Sequence, residues 1–370
     1  MRASFILRNL FRGCIAGMHA MRVMTLLAAV DALARSGRAS LTAIGRAMLP
    51  TTSPKHRIKR IDRLLGNTRL HSELERWYAA VAARLLGAAT RPNILIDWTE
   101  LNDHRWSLTA AVPAARRAIP IYNEAHPPSG NGSRRQLHHF VRTLRRLIPD
   151  GVRPTLIVDA GFMRPFYEAC IEYGFDLVVR LQAHGRLRAW MPDRTTTVGA
   201  IASQARRTAK CHGEWAVYDA NRRGTTLRVV SAKRTGLLRR HDDSSYRKRA
   251  VEPWVLATTR EDLSPDEVVA LYALRMRIEE MFRDAKNARY GWSLEHTGTR
   301  STERLEVLLL ITTLAMLAVV LIGAAADEAG CTRFLQANTT RRRAVLSIFH
   351  IGCLTLAEFA SASHRWETAC

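Results

Sequence analysis

Residues 307 to 326 read VLLLITTLAMLAVVLIGAAA, 20 positions without a charge. A run of that length can span a bilayer, and it cannot be left in water. Any fold available to this chain must therefore place the run in a membrane or bury it on all sides. The run contains Thr312, Thr313 and Gly323, follows a strongly charged stretch and stands alone in a basic chain. These features favour a helix buried within the protein, although hydropathy by itself does not separate the two. With 370 residues and 47% hydrophobic content, the chain can enclose such a helix in a substantial core spread over two or three domains.

Fifty-six Lys and Arg stand against 33 Asp and Glu, a formal charge of +23 and a pI near 10.9, and the basic residues are spread over every region. Such a surface draws polyanions through its long-range field and by counterion release. Nucleic acid is the leading expected partner, with an anionic membrane surface second. The six cysteines, at 14, 170, 211, 331, 353 and 370, contain no CxxC pair. Neither a disulfide framework nor a zinc site has support, and reduced thiols in a cytoplasm fit best. Near the start, Arg2, Arg8, Arg12 and Arg22 are scattered through apolar positions, which breaks up any signal-peptide core.

Residues 1 to 90 carry helical apolar spacing. Within them Lys55, His56, Arg57, Lys59, Arg60 and Arg63 interleave with Ile58, Ile61 and Leu64. A helix there has one buried and one basic face. Lys55, Arg57, Lys59 and Arg60 on that face are candidates for DNA phosphate contacts, which give affinity with little sequence information; the other reading is an ordinary solvated helix.

At Arg91-Pro92 the texture changes. NILIDWTEL (93 to 101), WSLTAAVP (106 to 113) and AIPIYNEA (118 to 125) read as strands of an antiparallel meander. After the HPPSGNG loop, SRRQLHHFVRTLRRLI (133 to 148) has helical spacing, TLIVDAGF (155 to 162) reads as a buried strand, MRPFYEACIEYG as a helix and FDLVVRL as another buried strand. Strands flanked by helices imply parallel neighbours and right-handed crossovers. Strand, strand, strand, helix, strand, helix, strand is the element order of the ribonuclease H-like fold. Its final helix arrives only after a mainly β insertion at 182 to 260, with the pieces GEWAVYDA, TTLRVVSAK and EPWVLATT between Arg-rich turns.

That helix is well signalled over 265 to 286: Ser264 can cap it, Pro265 takes the first position and Glu267 completes a capping box. On one continuous helix Tyr272, Arg275, Glu279 and Lys286 fall within an arc of about 60°, while Leu271, Leu274, Ile278, Met281 and Ala285 form a separate apolar stripe. A charge run on one helix face is also a common surface feature. Asp97 lies inside an apolar strand, a costly place for a carboxylate without a partner or metal. In the expected topology Asp97 and Asp159 sit on adjacent strands with Glu279 on the helix beside them. Three convergent carboxylates suit Mg²⁺, and two such ions can serve an in-line phosphoryl displacement.

The spacing Tyr272-x2-Arg275-x3-Glu279-x6-Lys286, with the DWTE run at Asp97 and the DAGF run at Asp159, resembles the DDE transposases of bacterial insertion sequences. Within them it is similar to the insertion-sequence-four, Tn-five-like group with its Tyr-Arg-Glu-Lys signature. The resemblance implies an α/β chain in three parts: a helical DNA-binding region at 1 to 90, a ribonuclease H-like catalytic core at 91 to 290 interrupted by the insertion, and a helical region at 291 to 370. It implies Asp97, Asp159 and Glu279 as catalytic metal ligands, for Mg²⁺ or Mn²⁺ and with two ions. It gives Tyr272, Arg275 and Lys286 the transposon-end backbone, and a homodimer joined through the apolar C-terminal helices. Trp254 has two readings, the family's stabiliser of a flipped base or a core strand aromatic. One departure from the family pattern is Arg164, where an aromatic is frequent; Phe162 directly follows Gly161. The implied activity is cut-and-paste transposition, and the alternative is a transposase-derived DNA-binding protein that has lost cleavage.

Overall fold

The computed structural model describes residues 2–102, 105–128, 132–162, 164–182, 188–191, 194–218, 224–233, 252–336 and 345–367. Seven described helices precede the first strand: α1 (Ala3–Leu10), α2 (Arg12–Ile15), α3 (Ala20–Ser36), α4 (Leu41–Ala47), α5 (Pro54–Leu65), α6 (Thr68–Ser72) and α7 (Leu74–Leu86). Local chemistry sets several of their ends. The Ser40 and Asn67 side chains accept from backbone N–H groups in the first turns of α4 and α6, Pro54 opens α5, and Gly37 ends α3 in the left-handed region.

The meander follows as expected: β1 (Asn93–Glu100), β2 (Trp106–Ala114) and β3 (Arg117–His126) pair antiparallel, with a register shift between Ala110 and Ala111. Ser133 and Gln136 form a capping box at the start of α8 (Arg134–Leu147). β4 (Thr155–Val158) then pairs parallel with β1, and after α9 (Arg164–Glu172) β5 (Asp176–Arg180) pairs parallel with β4. Both parallel strands are buried throughout, apart from Arg180 at the end of β5. This suits strands with helices on their faces.

The residues anticipated as an insertion form β6 (Arg188–Met191), β7 (Arg194–Thr197), α10 (Val198–Ser203), β8 (Lys210–Tyr218), β9 (Gly224–Ala232) and β10 (Trp254–Thr258). They are mainly β, but they extend the same sheet. β10 pairs antiparallel with β5, and the ten described strands run β3-β2-β1-β4-β5-β10-β9-β8-β6-β7. The Asp219-Ala220 end of one expected piece and the Arg-rich turns at 221 to 223 and 234 to 251 lie outside the described residues.

The expected helix over 265 to 286 begins with the anticipated Ser264–Glu267 capping box but is two helices, α11 (Pro265–Ala273) and α12 (Met276–Lys286). At the joint the backbone tightens to i→i+3 hydrogen bonds, from Arg275 N to Tyr272 O and from Ile278 N to Arg275 O. No Gly or Pro marks the place. The arc of about 60° calculated for one continuous helix therefore does not apply.

The uncharged run lies in α13 (Thr302–Glu328), followed by α14 (Thr332–Leu335) and α15 (Ile348–Glu367). The most apolar window of α13 is 89% buried inside the fold. It packs along β3, the edge strand of the sheet, with α1, α3, α5, α6 and α7 on it and α15 against it. Each Leu, Ile or Val fully removed from water there contributes about 1.5–3 kcal/mol. Polar contacts also tie the helix to this edge: Ala125 N donates to Glu306 and Asn123 Nδ2 donates to Thr313 Oγ1 at 2.9 Å. The helices from the two ends of the chain thus pack together on one side of the meander. The apolar surface expected to join two copies is largely covered within a single chain.

Candidate active site

Parallel pairing of β1 with β4 sets Ile96 opposite Val158, so Asp97 and Asp159 come next on neighbouring strands. α12 packs on β1, and its buried Ile278, Met281 and Ala285 hold it there. Glu279, one residue after Ile278, is thereby brought to the same place.

One side chain joins all three carboxylates. Arg275 Nη1 donates to Asp97 Oδ2 at 3.0 Å, and Nη2 donates to Asp159 Oδ2 at 2.7 Å and lies 2.7 Å from Glu279 Oε1. The Tyr272 hydroxyl donates to Asp159 Oδ1 at 2.8 Å, and Trp98 N donates to Asp97 Oδ1 at 2.9 Å. Lys286 Nζ donates to Thr99 Oγ1 at 3.2 Å, two residues beyond Asp97 on the same strand face. Glu280 faces away, toward Arg117 and Arg283, as its angle from Glu279 anticipates.

The charges are unbalanced. Burial raises Asp97 to about 6, the Arg275 guanidinium and the Trp98 N–H oppose the rise, and the neighbouring Asp159 and Glu279 add to it. At Asp159 the burial penalty is outweighed by Arg275, the Ala160 N–H and the Tyr272 hydroxyl, so this carboxyl ionises more readily than usual. Burial alone would lower the Arg275 pKa, but Asp159, Asp97 and their neighbours reverse it, and the guanidinium stays charged. Tyr272 is raised by burial and by Asp159, so its phenol keeps its proton.

Three carboxylates around one guanidinium leave a net charge of about −2 when all are ionised. An all-oxygen donor set with that excess fits a hard divalent cation such as Mg²⁺. As placed, the carboxylates surround Arg275; no group of three His, Cys, Asp or Glu among the described residues stands in a metal-holding arrangement. Metal ligation by this set therefore requires the guanidinium to give way.

The other expected contacts divide. Tyr272 and Arg275 have their polar groups on the carboxylates and not toward solvent, because the α11–α12 joint turns Arg275 inward. Trp254, 6% exposed, packs edge-to-face on Tyr272 with ring centres 4.7 Å apart, the packing that the core-strand reading of this residue describes. On α5, Lys55 and Lys59 are exposed as expected, but Arg60 donates to Thr25 Oγ1 and Arg57 to Met48 O. The basic face is thus narrower than the sequence implies. Phe162 is buried on Phe166, and Arg164 pairs with Glu168. The role of Trp98 N in holding Asp97 is a backbone contact with no sequence signal.

The family described as "Transposase DDE domain" matches residues 90–318. No curated protein matches the chain. Among solved structures, the cryo-EM piggyBac transposase synaptic complex with hairpin DNA is similar at 10% identity and a TM-score of 0.43, over 95% of this chain and 72% of that one.

Proposed function

This chain belongs to the transposase DDE domain family, which makes it a nuclease and strand-transferase enzyme, and from that premise we propose that it mobilises an insertion sequence by cut-and-paste. In this reading it binds the element's ends, hydrolyses the strand there and joins the freed 3′-hydroxyl to a target phosphodiester. Its core is ribonuclease H-like, and the Tyr272, Arg275, Glu279 and Lys286 spacing argues for the insertion-sequence-four group. The single observation that carries the site assignment is the meeting of Asp97, Asp159 and Glu279, from three separate elements, on one guanidinium.

Asp97, Asp159 and Glu279 hold the metal through their carboxylate oxygens, with two Mg²⁺ ions as the proposed complement. When bound, the metal supplies charge stabilisation at the phosphorus and activation of the attacking oxygen. The protein's own groups do the positioning. Tyr272 fixes Asp159 through its hydroxyl, and Trp98 N fixes Asp97 through its N–H. Arg275, once drawn off the carboxylates, is long enough to hold a phosphate bidentately, and Lys286 offers a second cation beside Thr99. Water and then a 3′-hydroxyl are the nucleophiles, so no side chain attacks. A homodimer in the cytoplasm, on double-stranded DNA, completes the proposal.

The test is nicking of labelled element ends by purified protein with Mg²⁺. Glu279→Ala is expected to abolish nicking and leave gel-shift affinity nearly unchanged; wild-type nicking by that variant would remove Glu279 from the site.

A further inference from the structure

Away from the carboxylates, three elements surround an open notch of about 490 Å³. Asp62 and Arg63 come from the end of α5, Gly66 and Asn67 from the link to α6, Arg69 from α6 and Arg304 from the first turn of α13. Three arginines and one carboxylate line the notch. That carboxylate is already committed: Asp62 Oδ1 accepts from Arg304 Nη2 and Oδ2 from Lys59 Nζ, each at 2.8 Å. Its pKa is lowered by those two partners, so it stays ionised and holds Lys59 and Arg304 in place.

Arg63 and Arg69 are exposed, and among the described residues their guanidinium groups make no hydrogen bond or ion pair. Asn67 spends its carbonyl oxygen on Leu70 N, which leaves its NH₂ to donate. The Arg304 guanidinium lies close over Gly66, 2.9 Å from where a Cβ would stand. Lys55, Lys59 and Arg63 follow one another at i, i+4 and i+8, a row along α5 that leads into the notch.

The notch lies at the same end of the sheet as the carboxylates. Just beyond β1, Asn102 Nδ2 donates to Thr299 O at 3.1 Å. Two residues after Arg304, Glu306 accepts from Ala125 N on β3 and from His71 Nε2. Two strand spacings, about 10 Å, separate β1 from β3. A duplex whose end reaches Asp97 extends past that distance within its first helical turn.

We propose that this notch grips a backbone phosphate of the DNA whose end enters the carboxylate site, and so sets how far the duplex advances. The assignment rests on the transposase reading. Paired arginines suit a phosphodiester, whose oxygens accept from two planar forks at once, and such a contact is indifferent to base sequence.

The experiment measures binding of the full chain to a fluorescent random-sequence duplex between about 50 and 200 mM salt. Arg63→Gln with Arg69→Gln is expected to lower the slope of log K against log salt by about 0.9, the value for the one phosphate the two residues share. Arg63→Lys with Arg69→Lys, which keeps both charges, is expected to restore most of it. Both residues are exposed, so an unchanged melting temperature accompanies the change. An unchanged slope in the Gln variant, beside a wild type that nicks DNA with Mg²⁺, overturns the notch and spares the transposase reading. A wild type that neither binds nor nicks DNA overturns both. Stabilisation of the wild type but not the Gln variant by inorganic phosphate, with the DNA slope unchanged, marks a free-anion site and also overturns the proposal.

Discussion

Arg275 Nη2 lies 2.7 Å from Asp159 Oδ2, a contact between side chains 116 residues apart in sequence. It is the shorter of the two hydrogen bonds by which a single guanidinium ties the middle of β1 and the end of β4 to the joint between α11 and α12. The joint and the site are one feature. The backbone tightens at Leu274 and Arg275, and the side chain that the tightening turns inward is the one the carboxylates need.

Removing that cation should expose the imbalance it offsets. Breaking a buried charge set by deleting one member costs about 3–5 kcal/mol, chiefly from the charges left unpaired. Arg275→Ala is therefore expected to melt well below wild type without divalent ions, and to recover a larger part of the difference than wild type gains when Mn²⁺ is added. Thermal melts with and without Mn²⁺ decide it. Equal Mn²⁺ shifts in the two proteins would mean that metal and guanidinium do not compete for these carboxylates.

Trp254 offers a clean separation of two roles. Its ring is packed on Tyr272 and 6% exposed. Trp254→Ala is expected to cost about 3–5 kcal/mol of stability, as large-to-small changes in a core do. Any loss of cleavage should follow the loss of folded protein. Were the variant to melt like wild type and still fail to cleave, the ring would have to act on DNA.

The meander, the two crossovers and the capped start of α11 were legible because each rests on local chemistry: alternation at 93 to 125, apolar runs at 155 and 175, Ser264 followed by Pro265 and Glu267. Asp97 was legible for a related reason, as a carboxylate inside an apolar strand. The break after Ala273 was not, because LYALRMRIEE has good helix propensity throughout and the pull on Arg275 is tertiary. The inward turns of Arg57 and Arg60 were hidden likewise, since Met48 O and Thr25 Oγ1 become their partners only once α5 docks on α3 and α4. The merging of the insertion into the main sheet depends on which strand β10 chooses, which periodicity does not specify.

Glu124 should make stability depend on pH with a definite sign. Burial pushes its carboxyl up to about 7, with the Tyr122 hydroxyl opposing and Glu306 adding. Nearby His126 is lowered by burial to about 4, so it is neutral when Glu124 titrates and supplies no charge. An unfolded glutamate ionises near about 4.3, so between that pH and about 7 the folded state keeps a proton that the unfolded state has lost. The contribution is fully present below the lower value and is lost as pH rises through the upper one. Relative to Glu124→Gln, wild type should lose on the order of 3–4 kcal/mol between pH 4 and 8. Urea denaturation of both proteins across that range would show parallel profiles if the carboxyl were not held in this way.

The covering of α13 can be tested at two glycines. A Cβ on Gly323 would stand 2.0 Å from Ile348 O, and one on Gly352 would stand 2.0 Å from Val319 O, so the backbones of α13 and α15 touch at both positions. These neighbours are carbonyl groups fixed in helices and cannot rotate aside as a side chain could. Helix propensity alone favours Ala over Gly by about 1 kcal/mol, whereas forcing packed helices apart costs about 1–3 kcal/mol or more. The second effect should win, and Gly323→Ala is expected to lower the melting temperature and to increase exposure of apolar surface to a hydrophobic dye. If α15 did not lie directly on α13, propensity would be the only term left and the same substitution would raise the melting temperature.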